Sequence, residues 1–242
     1  MPKYNLDEME LPEFKVENIH TGNWENAIRG MRNPKKSHHL SNSFWSDGRY
    51  ILCNNDYELA MKLAIAGSDH GKFLRQINLS FDLTAGWNFW KEYSTYKIGT
   101  TENSTSMMHT LFDEELTVDN FSWNELTPFR ERFLDHANKL INTVKDYDKQ
   151  IKELAIQIKG TSDDWSIRKK IEDIKEERYY KWRELNDDMI GSYLYTRTCD
   201  LNYEVARNMY SSRNNHKMLE WHFLCETFEQ LPYSGLITTP SK

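Results

Sequence analysis

A chain of 242 residues is long enough to bury a sizeable core in one domain without disulfides or a structural metal. A net charge of -6 and a pI near 5.8 argue against duplex DNA or RNA as the main partner, though a few arginines in a pocket stay compatible with a small anionic ligand. Cys53, Cys199 and Cys225 form no C-x-x-C pair and an odd count suits no disulfide framework, so the cytoplasm is the expected compartment; MPKYNLDEMELPEF lacks a signal-peptide core, and no run of about 18 apolar residues offers a membrane span.

In chain order, FKVENI (14–19) reads as a first strand, and GNWENAIRGMRNPKK (22–36) as a helix ended at Asn33-Pro34, because the residue before proline avoids helical geometry. NNDYELAMKLAIAGSDHGKFLRQ (54–76) carries a second helical pattern broken at Gly67. Ile77, Leu79, Phe81 and Leu83 then alternate with Asn78, Ser80 and Asp82, the period of a half-buried strand. A Trp-rich segment, GWNFWKEY (86–93), leads into TYKIGTTENSTSMMH (95–109). The latter offers one cation, Lys97, and many short hydroxyl and amide groups, a composition that suits sugar or phosphate contacts and a plain polar turn equally.

From a Thr127-Pro128 cap, Phe129, Phe133, Ala137, Leu140, Val144, Tyr147, Ile151, Leu154 and Ile158 recur at alternating spacings of four and three. Ile167, Ile171, Ile174, Trp182, Leu185 and Met189 repeat the seam after the turn GTSDD (160–164). A helical hairpin over 127–190, inserted in a single domain spanning 1–242, is predicted, with packing rather than catalysis as its role. SYLYTRTCDLN (192–202) reads as a strand with Tyr193, Tyr195, Arg197 and Cys199 on one face. Two helices follow, NYEVARNMYSS (202–212) and HKMLEWHFLCETFEQL (216–231), joined by RNNH.

The eight histidines fall in no metal-ligand spacing, and no G-x-S-x-G elbow or Walker loop is present. Arg197, Arg213, His216, Glu220 and His222 form the more informative set: two guanidiniums could clamp an anion, or each could pair with an acid.

The order of elements and these residues resemble the flavin-dependent thymidylate synthase family, as a divergent member of a kind encoded by phages or prophages. Tyr195-Thr196-Arg197 resembles its Y-T-R, Asn202 its next asparagine, Arg213 its second arginine, and His216 and Glu220 its following histidine and glutamate, with one residue dropped; His222 then stands for a final arginine that contacts uracil. FLRQINLSFDL resembles the family's strand. Laid on the Q-x-x-R-H-R-x-x-S-x-N-E-x-S-x-R-Y motif, the chain places Glu92, Thr95-Tyr96-Lys97, Thr100, Glu102-Asn103, Thr105 and Met107-Met108.

The resemblance implies an α/β (α+β) fold with a mixed or antiparallel sheet flanked by helices, and a homotetramer with pockets at subunit interfaces. It implies FAD and dUMP as ligands, NADPH and methylenetetrahydrofolate as co-reactants, and reductive methylation of dUMP to dTMP. It places Arg197, Glu92, Thr100, Asn103, Thr105 and His222 at the nucleotide, and Lys97, Asn202, Arg213 and His216 at the flavin; catalytic residues stay unassigned. Thr95, Tyr96 and Met107 stand where the family has charged or imidazole groups. Either the ligand differs or the catalysis is lost, which leaves a nucleotide-sequestering accessory protein as the alternative.

Overall fold

The alternation over 77–83 forms a strand in the computed structural model, which describes residues 14–123, 126–158, 165–189 and 191–240. Two compact units emerge: residues up to 85, 89–104 and 196 onward in the first, and 86–88 with 105–195 in the second.

The first unit opens with β1 (Lys15–Gly22), bulged between Glu17 and His20, where Asn18 takes a φ of 53°. Helix α1 (Trp24–Arg32) follows and gives way to a 3-10 turn at Asn33–Lys35, where proline ends the helix as predicted. Next comes a small hairpin that the sequence reading missed, β2 (Phe44–Ser46) and β3 (Arg49–Ile51). Its signal is Asp47-Gly48: both residues have positive φ, 48° and 73°, the demand of a two-residue hairpin turn. Helix α2 (Asn54–Ile65) stops before Gly67, whose φ of 102° ends the helical pattern.

Strand β4 (Asn78–Gly86) turns Leu79, Phe81, Leu83 and Ala85 inward, all 2 % exposed or less. Helix α3 (Trp87–Tyr93) comes next, with Phe89, Trp90 and Tyr93 buried. The polar segment beyond it is not wholly a loop: Thr100–Ser104 forms β5, an edge strand. Its short β-compatible residues find a pairing partner that local sequence does not display.

The second unit contains the short α4 (Met107–Thr110) and two long antiparallel helices, α5 (Pro128–Ile158) and α6 (Trp165–Met189). The Thr127 hydroxyl accepts the Arg130 amide at 3.3 Å, the expected cap. Ala137, Leu140, Val144, Ile171, Ile174, Leu185 and Met189 are buried along the predicted seam, whereas Phe129 is 70 % exposed and lies outside it. Arg178 grips Asp148 across the two helices at 2.7 Å. The predicted GTSDD turn lies outside the described residues.

Strand β6 (Leu194–Asn202) completes the four-stranded sheet in the order β1-β4-β6-β5; α7 (Tyr203–Arg213), α8 (Leu219–Glu229) and the short α9 (Gly235–Thr238) end the chain. One sheet face is buried, apolar along β4 and carrying Arg197 and Glu102 at its β6–β5 side. The other carries cross-strand polar pairs, Asp82 with Thr198 at 2.6 Å, Thr84 with Thr196 at 2.7 Å, and Ser80 with Asp200. Period-two alternation on β4 and β6 thus assigns each residue to core or solvent. Among the described residues, no helix is long and apolar enough to cross a membrane.

Candidate functional site

Two clusters in the first unit share one construction: an arginine, a carboxylate and an indole. On β6, alternation puts Arg197, Cys199 and Leu201 on the buried face. On β5, Glu102 pairs across from Cys199 and so stands diagonal to Arg197 on that same face. Arg197 and Glu102 form an ion pair whose side chains are only 16 % and 19 % exposed. The Arg197 guanidinium carbon lies 4.3 Å from the centre of the Trp90 ring, a cation–π contact. Its Nε is buried and has no hydrogen-bond acceptor among the described residues.

The second cluster gathers where α3, α7 and α8 meet. Arg213, at the end of α7, donates from Nη1 to Glu92 at 2.7 Å and from Nε to the Tyr96 hydroxyl at 3.0 Å. The Tyr96 hydroxyl also shares a 2.7 Å hydrogen bond with Ser212. Trp221 donates its indole N–H to the same Glu92 oxygen at 3.2 Å, and the Arg213 guanidinium sits 4.8 Å from its ring centre. His216 Nε2 is 3.5 Å from that oxygen, while its Nδ1 accepts the Met218 amide at 3.2 Å.

Aromatic contacts bridge the two clusters. Trp90 meets Tyr93 edge-on at 5.4 Å, and Tyr93 stacks on Trp221 at 6.3 Å. The result is a continuous aromatic layer with a guanidinium on each end, and each guanidinium has a resident carboxylate. Burial pushes the Cys199 thiol up to about 12 and raises the Tyr93 hydroxyl still further. Neither is poised as a nucleophile or proton carrier near neutral pH.

Of the residues assigned from sequence, Glu92, Arg213 and His216 come together, and Arg197 joins them through the aromatic layer. Asn202 is the N-cap of α7, its side chain accepting the Val205 amide at 3.0 Å. Thr100 donates its hydroxyl to the Tyr96 carbonyl. Asn103 is opposite Thr198 on the solvent face of the sheet, away from Arg197. Lys97 is exposed on the turn before Gly99, and His222 follows Trp221 on α8, half-buried. Thr105 belongs to the second unit. The reading missed Trp90, Ser212 and Trp221, and it placed Tyr96 and Glu102 only as motif positions. The tryptophans of GWNFWKEY and LEWHF were visible but are equally ordinary as core.

Among the described residues, no group of three or more His, Cys, Asp or Glu is placed to hold a metal ion.

By sequence, no family model and no curated protein matches the chain. By structure, it is similar to the flavin-dependent thymidylate synthase ThyX from Helicobacter pylori complexed with FAD and dUMP, at TM-score 0.58 and 16 % identity, over 94 % of this chain and 100 % of that one. A second structure of that enzyme, also with FAD and dUMP, matches at TM-score 0.56 and 17 % identity, over 93 % and 96 % of the two chains. A UMP/dUMP methylase, PolB from Streptomyces cacaoi bound with 5-Br dUMP, is more distant at TM-score 0.48 and 12 % identity, over 93 % and 94 %. From the first two, the chain has the fold of the flavin-dependent thymidylate synthases, helices around an antiparallel sheet with a long helical hairpin.

Proposed function

We propose that this protein binds a dUMP-like pyrimidine nucleotide with its phosphate at Arg197, and holds it without methylating it. The observation that carries this reading is Arg197, its guanidinium carbon 4.3 Å from the Trp90 ring centre and its Nε–H lacking an acceptor among the described residues. A buried donor without a partner costs free energy, and a phosphoryl oxygen would satisfy it.

The fold family implies FAD, whose diphosphate calls for free donors. Of the four residues given to flavin by resemblance, Asn202 caps a helix, Arg213 is bound by Glu92 and Tyr96, and His216 accepts the Met218 amide. Lys97 alone is exposed. As arranged, this set does not fit a flavin diphosphate, which favours holding over redox chemistry.

A second reading, reductive methylation of dUMP to dTMP with FAD, NADPH and methylenetetrahydrofolate, rests on that exposed Lys97, next to Tyr96 whose ring meets Trp221 at 5.9 Å. A homotetramer is proposed with either reading, and native mass measurement checks it.

Calorimetric titration of the purified protein with dUMP, beside its visible absorbance spectrum, tests these readings. Binding of dUMP by a colourless protein that does not take up added FAD is expected. No heat with dUMP up to millimolar concentration would sink nucleotide binding. A yellow protein that rescues a thymidine-requiring bacterium would make methylation the right reading.

A further inference from the structure

We propose that the cavity bounded by the end of β1, the start of α1 and the β2–β3 hairpin is a second ligand site, which takes a purine nucleotide and reads a guanine edge through Glu25. It involves none of the residues around Arg197 and is independent of the nucleotide reading above.

The cavity lies within the first unit and measures about 730 Å³, the size of a small-molecule site. Two edge-on aromatic pairs line it, Trp24 with Tyr233 at 5.1 Å and Trp45 with Tyr50 at 5.6 Å. Trp45 is 56 % exposed yet held in place: its indole N–H donates to Glu25 Oε2 at 2.9 Å and ties the hairpin to α1. The Tyr233 hydroxyl accepts the Leu52 amide at 2.7 Å, just past the end of β3. Aromatic surface that is anchored but left uncovered suits a ready-formed binding face better than a packing gap. The backbone points the same way. Asn23 and Tyr233, with φ of 62° and 56°, both line the cavity, and positive φ is costly for a side chain as large as tyrosine.

The lining groups choose the ligand. Indole and phenol faces stack on a planar ring. The Glu25 carboxylate repels a bare anion such as inorganic phosphate, but it can accept further donors, since Trp45 takes one of about four lone-pair positions. Uracil would set two carbonyl oxygens against that charge. Cytosine and adenine each offer one amino group beside a bare ring nitrogen. Guanine presents two adjacent donors, N1–H and the 2-amino group, which match a carboxylate. Arg49, exposed at the start of β3 and lining the same cavity, supplies a cation for the nucleotide's phosphate.

The test is calorimetric titration of the full chain, of Glu25→Gln and of Trp45→Ala, with GMP, IMP and AMP as probes. The parent should bind GMP about tenfold tighter than AMP, with IMP, which lacks the 2-amino group, between them. Glu25→Gln should bring GMP down to the level of AMP. Trp45→Ala should weaken all three by about tenfold, the worth of one stacking contact, and Trp45→Phe, which keeps a ring, should recover part of that loss and covers an alanine variant that fails to fold. Excess dUMP should leave GMP binding unchanged. No heat with GMP up to millimolar concentration, equal binding of GMP and AMP, an undiminished guanine preference in Glu25→Gln, or displacement of GMP by dUMP overturns the site. None of these outcomes bears on whether dUMP binds at Arg197, which its own titration decides.

Discussion

The Arg32 guanidinium meets the Asp56 carboxylate at 2.5 Å with the Asp56 side chain fully buried. One further chain segment, residues 41–43, brings four donors to the same carboxylate: the Ser41 hydroxyl at 2.8 Å, the Ser43 hydroxyl at 2.6 Å, and the amides of Asn42 and Ser43 at 3.2 and 3.1 Å. This knot secures the segment that leads into the β2–β3 hairpin.

Desolvation works to raise the Asp56 pKa, but the hydrogen bonds from Ser43, Arg32 and Ser41 outweigh it and hold the carboxyl below its ordinary value. A depressed folded value means stability that is present above the ordinary carboxylate range and is lost as pH falls through the folded value. Asp56→Ala is expected to cost about 3 kcal/mol or more at pH 7, because it strands a buried guanidinium. The variant should lose less further stability than the parent on acidification below about pH 4. Urea unfolding of both proteins across that range checks the sign.

Arg197→Ala should weaken dUMP binding by roughly tenfold to a hundredfold, the worth of a hydrogen bond to a charged group, while deoxyuridine binding changes little. Arg197→Lys should restore only part of the loss, since an ammonium can neither fork onto two oxygens nor lie flat on Trp90. Titration of both variants with both ligands decides; equal losses for nucleotide and nucleoside would place Arg197 at the base or the sugar.

Gly99 has a φ of 78°, and a Cβ there would lie 3.0 Å from Val205 Cγ2 and 3.1 Å from Asn202 Nδ2. Gly99→Ala therefore meets both backbone strain and crowding at the start of α7. A loss of about 1–2 kcal/mol is expected, read as a lower midpoint in thermal or urea unfolding.

Burial pushes the Cys199 and Cys225 thiols up to about 12, while Cys53 stands partly accessible. A thiol-labelling reagent at pH 8 should modify Cys53 in the native protein and reach the other two only on unfolding. The raised values also carry a stability consequence. The unfolded chain gives up these protons above about pH 8.5 whereas the native one keeps them, so stability should fall as pH rises from there toward 12. Two equally fast thiols in the native protein would contradict this.

Strong periodicity was legible without the fold. The alternation over 77–83 and the seam of Ala137, Leu140 and Val144 each follow from one local rule, and β4 and α5 appear where those rules put them. The β2–β3 hairpin carried a signal of two residues, Asp47-Gly48, within a segment too short for a convincing period. Strand β5 was hidden for a different reason. Thr, Glu, Asn and Ser declare neither face, and only pairing with β6 makes them a strand.

The site was partly legible. Arg197 and Arg213 stood out as cations on defined elements, but their acids are 95 and 121 residues away in sequence, and no local pattern links them. Asn202 illustrates the opposite problem: its type and place before a helix suit a cap as well as a ligand contact, and the side chain is spent on the Val205 amide.

The register of β5 has a consequence for charge. Successive residues of a strand face opposite sides, so a slip of one position along β6 would carry Glu102 into solvent and bring Asn103 against Arg197. The inner side of the sheet would gain one uncompensated positive charge without any change of sequence. Gly99, which lies just before the strand begins with room for no side chain beside Val205 and Asn202, marks where β5 enters the sheet. A single tight turn thus bears on the charge balance of the sheet's inner face.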